Sequence, residues 1–588
     1  MQTQGRERGD QPAYFEKEAG RWIPTSYREY AVQVRTAAKA LIHLGLGVGQ
    51  TVSILGFNRP EWAIFDVATM SAGGAPAGIY TTSSPNEVQY IIHHADSRIV
   101  LLENEAQWKK VESELERLPN LQHVVMMKGA EHIKHPKVMT WADFMALGDR
   151  ASDATFDDRL ERLEKNQLAT LIYTSGTTGP PKGVMLSHEN LAWTAGLVRQ
   201  IIEVRKDDCS LSYLPLSHIA EQMFSLHVPI TYGSSVYFAE SLEKVPDNLK
   251  EVQPTIFFGV PRIWEKFHAG VSAKLRMATG MKKQIAVWAT GVGSRMHDAR
   301  NVGRAPGALL GLEYRLATKL VFSKVKPALG LARVRHSVSG AAPISKDVLD
   351  FFAGLDIPIR EVYGQSEGSG PTSFNQPGRT RFGSVGPAIP GVEIKFADDG
   401  EIRVKGPNVF LGYYKEELAT KEALVDGWLC SGDLGKLDAD GYLHITGRKK
   451  EIIITAGGKN IAPKNIEGAL KSTALIGEAV VIGDRRKFLS ALLFLDDEAA
   501  KKWAEDKGVS SDALRSNAAL LDRIQQDVDR VNAQFAQVEH IRKWKIPGRN
   551  LGIDTGELTP TLKVKRAKVY AHFAEEIESM YRDASESG

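Results

Sequence analysis

An apolar, strand-like run at residues 168–173 (LATLIY) opens directly into residues 173–184, YTSGTTGPPKGV. This junction constrains the fold most, because a buried strand must end where hydroxyls, glycines and a cation meet solvent. Thr174, Ser175, Thr177 and Thr178 offer hydroxyl donors, and Gly176, Gly179 and Gly183 let backbone N–H groups turn toward an anion. Lys182 adds a mobile positive charge. The set suits a polyphosphate, with an ordinary solvated turn as the plainer alternative. It is not a Walker loop, whose final lysine is followed by Ser or Thr and runs into a helix; here Pro181 precedes Lys182 and Gly183 follows it.

The flanking pattern alternates. Residues 27–44 repeat apolar positions at helical spacing and stop at Gly45, Gly47 and Gly49, ahead of a strand-like TVSIL. Helices near 61–71 and 86–95, a strand over 98–102, and Ser187 as the cap of a helix from His188 continue the alternation and imply an α/β domain. The GLGVG at 45–49 closes a helix instead of opening one and misplaces its third glycine, which argues against a dinucleotide-binding turn. A chain of 588 residues exceeds what one core fills, so a second domain is expected.

Composition narrows the class. The two cysteines, Cys209 and Cys430, are far apart and form no disulfide framework or zinc motif. His93, His94, His132 and His135 lack carboxylate or thiol partners at ligand spacing and read as solvated or packed. The first residues carry no apolar secretory core, and no apolar run approaches the ~18 residues of a membrane span, so a reducing cytoplasm is the expected location.

A net charge of +3 gives no reason to expect nucleic-acid binding. The charge is nonetheless uneven. Residues 262–335 hold fifteen Lys/Arg against Glu265, Asp298 and Glu313, a local +12 that leaves −9 for everything else. Trp288, Leu309, Leu310, Leu312, Leu320, Val321 and Phe322 are interleaved with these cations. The segment reads as a solvated helical insertion, as a surface for anionic lipid headgroups on the inner membrane face, or as a dock for CoA phosphates.

Further stretches follow the loop in order: SGAAPI at 339–344, YGQSEG at 363–368, WLCSGDLG at 428–435, TGRKKEIIITAGGKNIAP at 446–463 and LTPTLKVKR at 558–566. In wording and order the chain resembles the adenylate-forming superfamily of acyl-CoA synthetases, peptide-synthetase adenylation domains and luciferases, over about residues 22–570. The resemblance implies a large N-terminal α/β adenylation domain (1–449) of packed sheets and helices, with a basic helical insertion at about 265–332. A small, mobile α+β C-terminal domain (450–588) would carry the adenylation lysine.

It also implies roles. Gly340, Ala341 and Ala342 would line the adenine, Tyr363 would stack on it with Gly364 next to it in the nucleotide site, and Ser366 would meet the phosphates. Glu367 would bind Mg2+, a hard cation suited to carboxylate and phosphate oxygens. Asp433 and Arg448 would hold the ribose, Lys450 would be the hinge, and Gly457 and Gly458 would admit CoA. Lys563 or Lys565 would be the adenylation lysine, the chain having Leu562 where most members have glycine.

YLPLSHIAEQ, GVPRIWEKF and the LTPT ending are similar to long-chain and very-long-chain fatty acyl-CoA synthetases, the bubblegum-type group above all. That likeness implies a fatty acid substrate with ATP and CoA. His218 would lie beside the substrate carboxylate, and Trp264 and Gly259 at an acyl pocket, core packing being the other reading of Trp264. Related chemistries stay open: a fatty acyl-AMP ligase that loads a carrier protein, a luciferase-like oxygenase, or a catalytically silent scaffold. Chain-length preference and oligomeric state are not legible.

Overall fold

The computed structural model describes residues 1–174, 180–301, 303–456, 459–559 and 562–582. As far as about residue 449 it is built on four sheets with helices between and outside them; a smaller α+β unit follows. The widest sheet orders eight strands as Gly412–Tyr413, Lys182–Ser187, Leu168–Thr174, Ala75–Ile79, Thr51–Leu55, Ile99–Leu102, His123–Met126 and Val138–Thr140. From Leu168–Thr174 onward neighbours run parallel, and the first two strands are antiparallel additions.

Parallel neighbours require crossovers. Helix Pro60–Ser71 joins Thr51–Leu55 to Ala75–Ile79, and helix Pro85–His94 joins Ala75–Ile79 to Ile99–Leu102. Helices on both faces leave Thr51–Leu55 and Ala75–Ile79 buried at every position, and the alternate hydroxyls Thr51 and Ser53 are satisfied inside by Ala95 O and Ser97 Oγ. The helix expected over 27–44 runs Tyr27–His43, started by a capping box between Ser26 and Glu29. Ser187 caps His188–Ile201 in the same manner, with Asn190 returning the bond.

A second sheet sets Ile256–Gly259, His336–Ser339 and Ile359–Gln365 in parallel and closes with antiparallel Gly370–Phe374. A third pairs Trp428–Leu437 with Leu443–Arg448. The hairpin of Pro12–Glu18 and Arg21–Ser26, which no sequence pattern announced, joins Ser235–Phe238 and Cys209–Ser212 in the fourth. Residues 262–335 fold largely into helices: Pro261–Met277, Gly280–Asn301, and Ala308–Ala317 running through the π turn Thr318–Phe322 into Ser323–Ala328.

Beyond 450, strands Ile476–Ile482, Leu489–Leu495 and Ile541–Lys545 form the smaller sheet. Alternation with period two divides its side chains between two cores. Ala479, Val481, Ala491 and Leu493 pack on helices Pro463–Lys471 and Ala518–Asn532; Val480, Ile482, Leu492 and Phe494 pack on Arg566–His572 and Ala574–Arg582. Each fully buried aliphatic side chain contributes roughly 2 kcal/mol. Among the described residues both clusters are drawn wholly from after residue 450. No described helix is long and apolar enough to cross a membrane.

Candidate active site

Two antiparallel strands flank the segment between Thr174 and Lys182. Thr174 ends one, Lys182 begins the other, and the two residues stand opposite each other in register. Ser175, Gly176, Thr177, Thr178 and Gly179 lie outside the described residues. Lys182 points its Nζ at the ring of Tyr413, 5.0 Å from the centroid. Tyr413 in turn donates its hydroxyl to Glu367 Oε1 at 2.8 Å. This residue was not legible from the motifs. The two-residue strand Gly412–Tyr413 brings it in by pairing with the strand that starts at Lys182.

Glu367 sits on the short turn Ser366–Gly368 at the end of strand Ile359–Gln365. Its backbone carbonyl accepts from Phe410 N at 2.9 Å, and Asn408 Nδ2 donates to Gly368 O at 3.1 Å, so residues 408–413 clamp the turn. Ser366 is buried beside it. Gly364 is required where it stands, since a Cβ there would lie 1.7 Å from Gly370 O in the returning strand. With one oxygen engaged by Tyr413, the Glu367 carboxylate keeps the other as an acceptor. That donor set suits Mg2+, which takes one or two carboxylates and completes its shell with phosphate oxygens and water. No cluster of three or more potential ligands occurs among the described residues.

Tyr363 donates its hydroxyl to Asp433 Oδ2 at 2.9 Å, and Arg448 Nε lies 3.6 Å from Asp433 Oδ1. The pairing follows from strand register, Asp433 facing Arg448 across two antiparallel strands. Burial raises the Asp433 pKa, opposed by Arg448 and the Tyr363 hydrogen bond. Gly340 follows strand His336–Ser339, and a Cβ on it would meet Val362 Cγ1 at 2.6 Å. Ala341 has φ +68°, and Ala341 and Ala342 are exposed. The strand ends carrying Gly340 and Tyr363 are thus neighbours in one sheet.

His218 caps the helical turn Ile219–Gln222, its Nδ1 accepting from Ala220 N at 3.2 Å. Nε2 is therefore the protonated nitrogen. Burial, reinforced by the charge of Lys563, lowers the His218 pKa to about 4, so the ring is neutral near pH 7. Its elbow packs on the central sheet, where a Cβ on Gly78 would meet Ser217 Cα at 2.8 Å.

A second node holds the same elbow. Asn58 donates through Nδ2 to Leu214 O at 2.7 Å and to Ser212 Oγ at 2.8 Å, and accepts at Oδ1 from Leu216 N. Glu221 Oε1 accepts from Ser212 Oγ and Ser225 Oγ, both at 2.6 Å, and from Asn58 Nδ2 at 3.3 Å. Replacing Asn58 with Ala is expected to lower kcat/KM for the acid substrate by ~10–100-fold through a loosened His218 elbow, while KM for nucleotide changes little. Steady-state kinetics with each substrate varied in turn provide the check.

Burial also raises the Glu221 pKa to about 7 from an ordinary value near 4.5. The folded chain then binds a proton that the unfolded chain has released. This contribution to stability is present at low pH and is lost as pH rises toward 7. Glu221→Gln should flatten that slope, worth on the order of 2–3 kcal/mol, in urea titrations across the interval.

The smaller unit reaches this cleft through Lys563. Its side chain is accessible to solvent, yet the cleft walls and the charges of Arg448 and Lys464 lower its pKa, while Asp433 and Glu367 oppose the shift. Thr559 braces the segment, its N–H donating to Lys563 O at 2.8 Å and its Oγ1 accepting from Lys563 N at 3.0 Å. Lys565 points elsewhere, its Nζ 3.8 Å from Glu87 Oε1 in the helix Pro85–His94. Leu562 takes φ +60°, the left-handed region that glycine occupies without strain.

Lys450 is exposed on the turn Lys449–Glu451 between the two units, and Gly457 and Gly458 lie outside the described residues. Trp264 has no exposed surface. Its Nε1 donates to Gly259 O at 3.0 Å and Val338 O at 3.3 Å, and its ring meets Phe257, Phe267 and Phe352 edge-on. Trp264 and Gly259 are thus in contact, but within a packed core. Cys209 and Cys430 are free thiols.

The family profile described as AMP-binding enzyme matches residues 1–414, and that described as AMP-binding enzyme C-terminal domain matches residues 450–585. A Xenopus laevis protein named long-chain-fatty-acid–CoA ligase ACSBG2 is 40% identical over 615 residues, covering 98% of this chain and 82% of that protein. A human protein named long-chain-fatty-acid–CoA ligase ACSBG1 is 38% identical over 610 residues, covering 98% and 84%. Among solved structures, the adenylation domain of a carboxylate reductase from Mycobacterium chelonae superposes with a TM-score of 0.73 at 22% identity, covering 97% of this chain and 89% of that one. At that identity the likeness concerns the fold.

Proposed function

This chain belongs to the AMP-binding enzyme family, and on that premise we propose that it is a long-chain fatty acid–CoA ligase. Fatty acid, ATP and CoA would give acyl-CoA, AMP and pyrophosphate through an acyl-adenylate. The observation that carries the reading is that Lys563, from beyond residue 450, shares the electrostatic environment of Glu367, Asp433, Arg448 and His218.

In the first half-reaction a carboxylate oxygen attacks the α-phosphorus of ATP in line, and pyrophosphate leaves with its bonding pair. Lys563 bridges the carboxylate and the α-phosphate, where negative charge accumulates. His218, neutral with its proton on Nε2, orients the carboxylate without adding charge. Lys182 and the loop of Thr174, Ser175, Gly176, Thr177, Thr178 and Gly179 hold the departing phosphates. Tyr363, Gly340, Ala341, Ala342 and Gly364 frame the adenine, and Asp433 with Arg448 holds the ribose. Glu367 would hold Mg2+, which would supply neutralisation of the pyrophosphate charge.

In the second half-reaction the CoA thiolate attacks the acyl carbonyl and AMP leaves. Residues 1–449 and 450–588 are read as two domains, with Lys450 as hinge. Rotation there withdraws Lys563 and presents Gly457 and Gly458 to CoA. Trp264, buried as it stands, would have to swing to open an acyl tunnel beside Gly259. Peripheral contact with an inner, anionic membrane face through residues 262–335 belongs to the same reading.

The alternative is a ligase that hands its acyl-adenylate to a carrier protein. Incubation with ATP, palmitate and CoA distinguishes them: equimolar palmitoyl-CoA and AMP support the CoA ligase, whereas palmitoyl-AMP without thioester would overturn it. Saturated acids of increasing length in the same assay define the tunnel.

A further inference from the structure

The helix formed by Ala308–Ala317, Thr318–Phe322 and Ser323–Ala328 is apolar on two opposite sides. Its inner side is accounted for: Leu310, Tyr314, Ala317, Val321 and Phe322 pack with Trp288, Ala289 and Val292 of helix Gly280–Asn301. The outer side is not. Leu309, Leu312, Leu316 and Leu320 are 72%, 56%, 47% and 43% exposed, and their spacing of three, four and four places them along one edge. A surface helix ordinarily presents polar residues there.

Charge indicates what meets this edge. Arg304, Arg315, Lys319 and Lys324 flank it, all exposed and without an ion-pair partner among the described residues. Glu313, the acid on this helix, is occupied by Arg295 at 2.8 Å. Met281, 75% exposed, stands beside exposed Lys282 and Lys283 at the start of the neighbouring helix, and Met277 is 74% exposed just before it. An apolar edge rimmed by unpaired cations matches an acyl boundary beneath anionic headgroups. A second copy of the same surface would set like charge against like.

We infer that this leucine edge inserts into the interface of an anionic bilayer, with the helix lying in the membrane plane. The inference rests on the ligase reading for its purpose, since long-chain acids reside in bilayers, but not for its test. Cosedimentation is measured without ATP or CoA, so failure of binding and failure of ligation are seen separately. The wild-type chain should bind vesicles of equimolar phosphatidylcholine and phosphatidylglycerol at low salt, less at high salt, and weakly bind phosphatidylcholine alone.

Leu312→Glu/Leu316→Glu should lower partitioning at least ~10-fold with unchanged circular dichroism and unfolding midpoint. Arg315→Glu/Lys319→Glu should lower it on anionic vesicles and leave the residual binding to phosphatidylcholine. No wild-type binding at low salt, or equal binding by the leucine variant, overturns the inference. So does a wild-type dimer in sedimentation velocity that the leucine variant dissociates, which would assign the edge to a second copy.

Discussion

Lys563→Ala should abolish formation of acyl-adenylate from fatty acid and ATP, by ~10³-fold or more, while leaving thioester formation from supplied acyl-AMP within a few-fold of wild type. The asymmetry follows from position. In this structure the lysine lies in the cleft of Asp433 and Glu367, where the first reaction accumulates charge. In the proposed two-step cycle the second reaction needs it gone. Its side chain takes no part in the smaller unit's two apolar cores, so its loss should not unfold that unit. Lys565→Ala, which removes the 3.8 Å pair with Glu87, should weaken the closed arrangement modestly and equally for all acids. Separate assays of the two half-reactions with both variants decide the assignment: equal loss of both steps in Lys563→Ala would sink the alternation, and a selective loss in Lys565→Ala would transfer the role.

Asp433→Ala should cost the next largest factor, ~10²–10³ in kcat/KM for ATP and less for fatty acid. The carboxylate accepts from Tyr363 at 2.9 Å and faces Arg448 at 3.6 Å, so truncation releases both groups at once. Tyr363 loses the bond that fixes its ring, and Arg448 loses its counter-charge next to Lys563, whose pKa should fall further. Asp433→Asn keeps an acceptor for Tyr363 but not the charge, and should fall between the two. Initial rates with ATP varied at saturating acid read the effect; a change confined to the fatty acid term would place Asp433 elsewhere.

Much of this site was legible because its motifs are local. The helix at residues 27–44, the cap at Ser187 and the strand that runs into the loop at Thr174 follow from short-range periodicity and turn chemistry. Asn58 and Glu221 were not, because 163 positions separate two residues that meet only once the sheets have assembled. Tyr413 was hidden for a similar reason, arriving on a two-residue edge strand. The apolar residues of 262–335 were visible as a set, yet the inward face of Leu310, Val321 and Phe322 and the outward face of Leu309, Leu312 and Leu320 separate only with a packing partner in place. Leu562 looked like a departure at the residue before Lys563; its φ of +60° shows why glycine suits that position.

In the proposed reaction this cleft joins a fatty carboxylate to the α-phosphate of ATP before CoA takes part. Isotope exchange between pyrophosphate and ATP, with palmitate present and CoA absent, measures that step alone. Exchange is expected to depend on palmitate and on Mg2+ and to be lost in Lys563→Ala. Exchange that is absent in the wild-type chain, or that proceeds without fatty acid, would contradict that reaction.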